Sequence, residues 1–239
     1  MQQNTTKCIK RVGNSFNCPP CKGASIKYGK SKGGMQRYKC KMCNKTFVEM
    51  YTYKACEKEV TAILSKLLCE SVCIRGIARI LKIANNTVLS RIRKVASAIT
   101  KPAISINQLQ FEVDELRTYV GEKGNEYWVA YALNTATGQV VDFVVGKRSK
   151  RVLNILVNTL LLSNVKQINT DNLNIYQSLI PVSLHKRGAY CINHIERKNL
   201  TLRTHLKRLS RKTICFSRSV AMLEACMKIY FFFPATSPD

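Results

Sequence analysis

Two cysteine pairs, Cys18-Pro-Pro-Cys21 and Cys40-Lys-Met-Cys43, constrain the start of this chain more than any other feature. Their C-x2-C-x18-C-x2-C spacing falls in the range of four-thiolate zinc sites. Each C-x-x-C turn points two sulfurs to one side, and a hairpin between the turns would close four soft ligands into a tetrahedron. The intervening run suits that hairpin, with Gly29, Gly33 and Gly34 as turn residues and Ile26, Tyr28 and Tyr38 at strand-like positions. A zinc ribbon is expected over residues 8–50, with Cys18, Cys21, Cys40 and Cys43 on one Zn²⁺. The ion would stabilise a segment too small to fold on its own core.

The charge points to the partner. Lys and Arg number 39 against 14 acids in 239 residues, a net +25. Such a surplus favours a polyanion, because each phosphate neutralised releases condensed counterions. The excess is uneven: residues 1–110 hold 21 basic residues and four acids, whereas residues 111–239 hold 18 and ten. The first half reads as a binding arm, and the second has carboxylates to spare. A polar start, Met1-Gln-Gln-Asn-Thr-Thr, predicts no signal peptide, and no apolar run is long enough to span a bilayer. Eleven cysteines, an odd number, then imply reduced thiols in the cytoplasm. Cys8, Cys56, Cys69, Cys73, Cys191, Cys215 and Cys226 are expected as small core residues.

Residues 57–99 read as helical. Val60, Ile63, Leu64, Leu67 and Leu68 share one face, and Ile74, Ile77, Ala78 and Leu81 make a second. After Ile83, Asn85 or Asn86 can cap a helix whose Val88, Leu89 and Ile92 face inward. Two short helices joined this tightly predict a helix-turn-helix DNA-binding domain. Asn86, Thr87, Ser90, Arg91 and Arg93 would face double-stranded DNA.

Pro102 breaks the helix, and residues 100–110 form a linker. From Phe111 the hydrophobic period shortens to two. Strands are expected over 111–120, 127–133 and 140–145, with turns at 122–125 and 134–138. A helix over 149–163, a strand over 165–170, a helix near 174–179, a short strand near 182–184 and a long basic helix from about 192 complete the order. Residues 111–239 thus predict an α/β ribonuclease-H-like catalytic domain. Trp128 and Tyr230-Phe-Phe-Phe233 are expected in its core.

In that order Asp114 lies on the first strand, Asp171 ends the fourth, and Glu196 starts the last helix. Strands one and four are neighbours, so the first two carboxylates approach at the sheet edge and the helix supplies the third. Clustered carboxylates repel unless hard cations bind them, so Asp114, Asp171 and Glu196 are candidate ligands for two Mg²⁺ ions in phosphodiester chemistry. Glu112 and Glu115 compete with Asp114. Alternation along the strand turns Glu115 away and leaves Glu112 on the face of Asp114. Beyond Glu196, Arg197, Lys198, Arg203, Lys207 and Arg208 could hold a DNA backbone.

Several runs carry a resemblance: the two cysteine pairs, Val113-Asp-Glu-Leu, Asn169-Thr-Asp171 with Tyr176, Ile195-Glu-Arg-Lys-Asn-Leu-Thr-Leu-Arg203 and Leu206-Lys-Arg-Leu-Ser-Arg-Lys-Thr-Ile-Cys-Phe-Ser217. On these, the chain closely resembles insertion sequence 1 family transposases of bacteria. The resemblance implies an Asp-Asp-Glu site, Mg²⁺ chemistry, terminal inverted repeats and target DNA as partners, no membrane, and work as a homo-multimer at the bacterial nucleoid. A zinc-dependent DNA-binding regulator without catalysis and a ribonuclease-H-like nuclease that cuts without joining are the alternatives.

Overall fold

The computed structural model describes residues 11–12, 15–48, 59–104, 110–210 and 212–233. Cys8, Cys56, both ends of the expected ribbon and residues 105–109 of the expected linker lie outside them. The chain divides into two compact units, Met1–Val60 and Thr61–Asp239.

In the first unit, β1 (Arg11–Val12) pairs with β2 (Ser15–Phe16), and β3 (Ser25–Lys30), β4 (Gln36–Cys40) and β5 (Thr46–Val48) form an antiparallel sheet in that order. Its core is small: Phe16, Tyr38 and Phe47 pack with Cys18 and Cys40. The Phe16 and Tyr38 rings meet edge to face at 4.9 Å. Ile26 and Tyr28 are about half exposed, because β3 presents almost all its side chains to solvent. Tyr28 instead lies under two cations, Arg37 and Lys39, at 5.5 and 5.3 Å from its ring centre.

The second unit begins with three helices, α1 (Val60–Cys69), α2 (Ile74–Leu81) and α3 (Asn85–Ala98). Val60, Leu64 and Leu68 are buried as their spacing requires, but Ile63 is exposed. Cys73 is exposed rather than core; its sulfur caps α2 by accepting the Gly76 N–H. Lys82, in the left-handed region, ends α2, and α3 starts from Ala84 without a side-chain cap, so neither asparagine fills that role.

Five strands then form one sheet: β6 (Gln110–Val120), β7 (Glu122–Asn134), β8 (Val140–Gly146), β9 (Gln167–Thr170) and β10 (His185–Arg187), in the order β10-β9-β6-β7-β8. β6, β7 and β8 are an antiparallel meander, and β9 and β10 add in parallel on the other side. The β6–β7 turn is tighter than expected: Gly121, at φ +81°, makes the reversal alone, so β7 already begins at Glu122. β10 lies three residues beyond its expected place, since Pro181 and the turn after it occupy 181–184.

Side-chain alternation builds a core on each face. Phe111, Val113, Ala130 and Ala132 face α4 (Lys150–Leu161) and the short α5 (Asn174–Gln177). Leu116, Val129, Tyr131 and Leu133 face α6 (Asn193–His205) and α7 (Val220–Phe232). α7 was not expected from the sequence; its apolar residues run almost all round, and Tyr230, Phe231 and Phe232 close that core beside Phe143. Trp128 is only half-buried, beneath the Arg148 guanidinium at 4.5 Å. The turn after α1 is tied to the end of α6: Ser71 N–H and Oγ donate to the carbonyls of His205 and Thr204 at 2.8 and 2.6 Å. No described helix is long and apolar enough to cross a membrane.

Candidate active site and metal centres

Parallel pairing of β6 with β9 runs Glu112 against Asn169 and Val113 against Thr170. The next step along both strands sets Asp114 beside Asp171. Their carboxylates, with that of Glu115, offer oxygens all within 4.8 Å of one another. Asp171 also accepts the Leu173 N–H at 3.0 Å, a turn that launches α5 and holds the carboxylate at the strand end.

Each of the other acids has its own support. Asp114 Oδ2 accepts from the Asn199 amide at 2.6 Å, and Asn199 Oδ1 in turn accepts from the Tyr131 hydroxyl at 2.7 Å. Glu115 accepts from the Tyr176 hydroxyl at 2.6 Å and from Arg148 at 3.2 Å. Glu115 does belong to the opposite face from Asp114, among the partners of α4 and α5. Just beyond the end of its pairing with β9, its longer side chain nevertheless reaches the shared cluster, which simple alternation missed.

Electrostatics follow from that crowding. Burial pushes the Asp114 carboxyl up to about 6, and the charges of Glu115 and Asp171 push the same way. Hydrogen bonds from the Glu115 N–H and Asn199 oppose the rise. Burial also raises Glu115, against the Tyr176 hydrogen bond and the Arg148 charge, and it raises the Tyr176 phenol well above its ordinary value. Adjacent carboxylates held in poor solvation are set up for a hard divalent cation, which would replace the missing water and cancel their repulsion.

Glu112 takes no part in the cluster. It is buried, and it accepts the Ile195 N–H and a hydrogen bond with His194 Nδ1, each at 2.7 Å. A carboxylate on the central strand thus caps the first turn of α6, where unpaired N–H groups favour negative charge. Sequence reasoning saw Glu112 only as a rival to Asp114. The signal lay in its place, an acid between buried apolar neighbours on a central strand.

The remaining expected residues fall into distinct settings. Glu196 is exposed on α6, outside the three-carboxylate cluster, three residues before Asn199. Arg197 is exposed, Lys198 half-buried, and Arg203 reaches the Leu209 carbonyl at 3.5 Å. Lys207 is exposed in a 3-10 turn, Lys207–Leu209, and Arg208 donates to Ser217 Oγ at 2.7 Å. On α3, Asn86, Ser90 and Arg93 are exposed and Thr87 half-buried. Arg91 donates to Thr61 Oγ1 at 3.0 Å, pinning α1 to α3.

The first unit holds a second cluster. Sγ of Cys18 lies 3.5 Å from that of Cys43, and Sγ of Cys21 lies 3.4 Å from that of Cys40. All four sulfurs sit within 4.8 Å of one another, a range that brackets the edge of about 3.8 Å in a tetrahedron with metal–sulfur bonds of about 2.3 Å. The two turns are built alike. Lys22 and Asn44, each just after its second cysteine, take positive φ and return their N–H groups to the carbonyls of Cys18 and Cys40. The Cys43 N–H, then that of Met42, points at Cys40 Sγ and lowers this thiol to about 6. The set could hold a metal ion.

A family model described as IS1 transposase matches residues 108–233, the segment carrying the five-stranded sheet and its carboxylates. The chain belongs to the IS1 transposase family. This transposase is 42% identical over 113 residues to the insertion element iso-IS1n protein InsB of Shigella dysenteriae, covering 47% of its own length and 86% of the relative. It is 38% identical over 111 residues to the IS1 protein InsB of Shigella sonnei, covering 46% and 85%. Among solved structures, a chain from the simian T-cell lymphotropic virus intasome in complex with PP2A regulatory subunit B56 gamma matches with 18% identity and a TM-score of 0.35. That overlap covers 69% of the transposase and 65% of the other chain, and is too loose to bear on fold or mechanism.

Proposed function

We propose that this transposase binds the terminal inverted repeats of its element, cleaves there, and joins the freed 3′-hydroxyl to target DNA. The observation that carries the reading is the β6–β9 pairing, which brings Asp114 and Asp171 into one ligand sphere in a chain of this family. Glu196 completes the catalytic carboxylates. Its support is Asn199, one turn along the same face of α6, which already touches Asp114. The sheet order, with a parallel strand beside the first strand of a meander, supports a ribonuclease-H-like domain.

Asp114, Asp171 and Glu196 would hold two Mg²⁺ ions. Such ions supply Lewis-acid stabilisation of the phosphodiester and lower the pKa of a bound water or hydroxyl. The chain's own residues do the rest. Tyr131 and Asn199 fix the orientation of Asp114, Glu112 fixes the start of the helix that carries Glu196, and Tyr176 with Arg148 restrains Glu115 beside the site. Arg197, Lys198, Arg203, Lys207 and Arg208 would track the DNA backbone. The cysteine set would hold one structural Zn²⁺ in a ribbon, and α2 and α3 would act as a helix-turn-helix that meets bases and phosphates through Asn86, Thr87, Ser90 and Arg93. Arg91, engaged with Thr61, would steady that helix and reach a phosphate from there. Work as a homo-multimer in the bacterial cytoplasm, at the nucleoid, goes with the reading.

The test is a purified-protein assay on a duplex carrying the element's own ends, with Mg²⁺. Cleaved and joined products are expected, and both should vanish with Glu196→Gln while end binding persists. Full activity in Glu196→Gln would remove it from the site, and no Mg²⁺-dependent product with any duplex would overturn the enzyme reading.

A further inference from the structure

A groove of about 570 Å³ runs between the helices α1–α3 and the chain beyond α6, residues 206–208 and 214–219. Five cations line it: Arg75 of α2, Arg93 of α3, and Lys207, Arg208 and Arg218 from the far wall. Among the described residues no acid lines it, and none of the five forms an ion pair. Arg75, Arg93, Lys207 and Arg218 are exposed. Five like charges facing one cleft repel one another, and that cost is offset when a polyanion fills it.

The walls are also held in register. Ser71 fastens the turn between α1 and α2 to the last carbonyls of α6, and α3 packs on α7. The groove is therefore preformed, and its cations need not be gathered when a ligand arrives. It leads from the exposed side of α3 to the end of the helix that bears Glu196 and Asn199.

We propose that this groove is a phosphate track: one strand of a DNA duplex lies in it, contacted by Arg75 and Arg218 as well as Arg93, Lys207 and Arg208. The proposal rests on the DNA-transposase reading and deepens it. Base reading by α3 and chemistry beside α6 would act on the same piece of DNA, at a spacing set by the protein. An acidic protein or a second copy of this chain is the rival occupant; five cations with no acid among the described lining residues favour the phosphate backbone over a second copy of a chain with net charge +25.

The experiment measures affinity of the full chain for an end-bearing duplex and for an unrelated duplex across a salt series. Because each phosphate contact contributes about 0.9 to the slope of log affinity against log salt, the double variant Arg75→Gln/Arg218→Gln should flatten that slope by about 2 on both duplexes. The ratio between the two affinities should stay as it was. Ile214→Lys, which adds a cation at an exposed lining position, should steepen the slope by about 1 while leaving every native cation in place. Unchanged slopes in both variants, with discrimination between the duplexes intact, would overturn the track and leave the transposase reading standing. If the wild type binds neither duplex, the underlying reading fails instead. If the double variant alters sedimentation without DNA and leaves the slope alone, the groove docks another copy and the proposal is wrong.

Discussion

The two clusters able to hold metal are built in opposite ways. The cysteine set comes from two short turns of the same design, whose backbone bonds and positive-φ residues aim the sulfurs before any distant contact forms. The carboxylate set comes from two strands 57 residues apart at Asp114 and Asp171, which meet only because β9 pairs in parallel with β6. The first has only a small core, so a bound ion would add most to its stability. The second sits in a sheet with a core on both faces, so the fold can carry the strain of crowded acids without an ion. A set of ligands can therefore be local, or it can draw on a rigid scaffold that brings distant strands together.

That contrast breaks most visibly on paired substitutions. Asp114→Asn or Asp171→Asn should reduce strand cleavage by at least about 10³-fold, while zinc content by metal analysis remains one per chain. Cys40→Ser should do the reverse in structure: zinc is lost and the first unit unfolds, yet the Trp128 fluorescence melt of the second unit is retained. If Cys40→Ser also shifts that melt, the two units are not independent and the comparison fails.

Glu112 sharpens it further. Glu112→Ala strands a buried N–H at Ile195 and removes the cap of α6, so it should destabilise the second unit by roughly 2–4 kcal/mol in urea unfolding. Glu112→Gln keeps an acceptor for Ile195 and should cost much less. Equal losses in the two variants would show that charge, rather than the cap, is what α6 needs.

The smallest expected effect is on pH. Asp114 is raised from 3.8 to about 6 in the folded chain, so its protonated form favours folding. The stability it contributes is complete below about 4 and is lost as pH rises through about 6, a change on the order of 1–3 kcal/mol. Urea unfolding with chelator, followed at the single tryptophan, should show the decline, and Asp114→Asn should make it shallower, leaving the share of Glu115, which burial also raises. Added divalent cation should reverse the slope, because it binds the ionised form. A flat profile in the wild type would mean that the carboxylates are better solvated than their burial implies.

Much of this was legible in the residues. The cysteine spacing, the period-two runs of β6, β7 and β8, and the placing of Asp114 and Asp171 on neighbouring strands needed only local pattern and a topology rule. What escaped was what distant partners decide. Cys73 looked like a core thiol and proved to be a cap, the hydrogen bond from Arg91 to Thr61 had no sign in the local pattern, and α7 has too little polar face for its period to stand out.

By itself the sequence determined the thiolate turns, the alternation that gives the sheet two buried faces, and the basic balance that calls for a polyanion, because each depends on neighbours in the chain. Only the tertiary structure decided that Glu115 joins Asp114 and Asp171, that Glu112 caps α6, and that α1–α3 are fastened to the end of that helix. Those outcomes rest on strand register and side-chain reach across the sheet edge, where a single residue's shift would have turned each carboxylate to the other face.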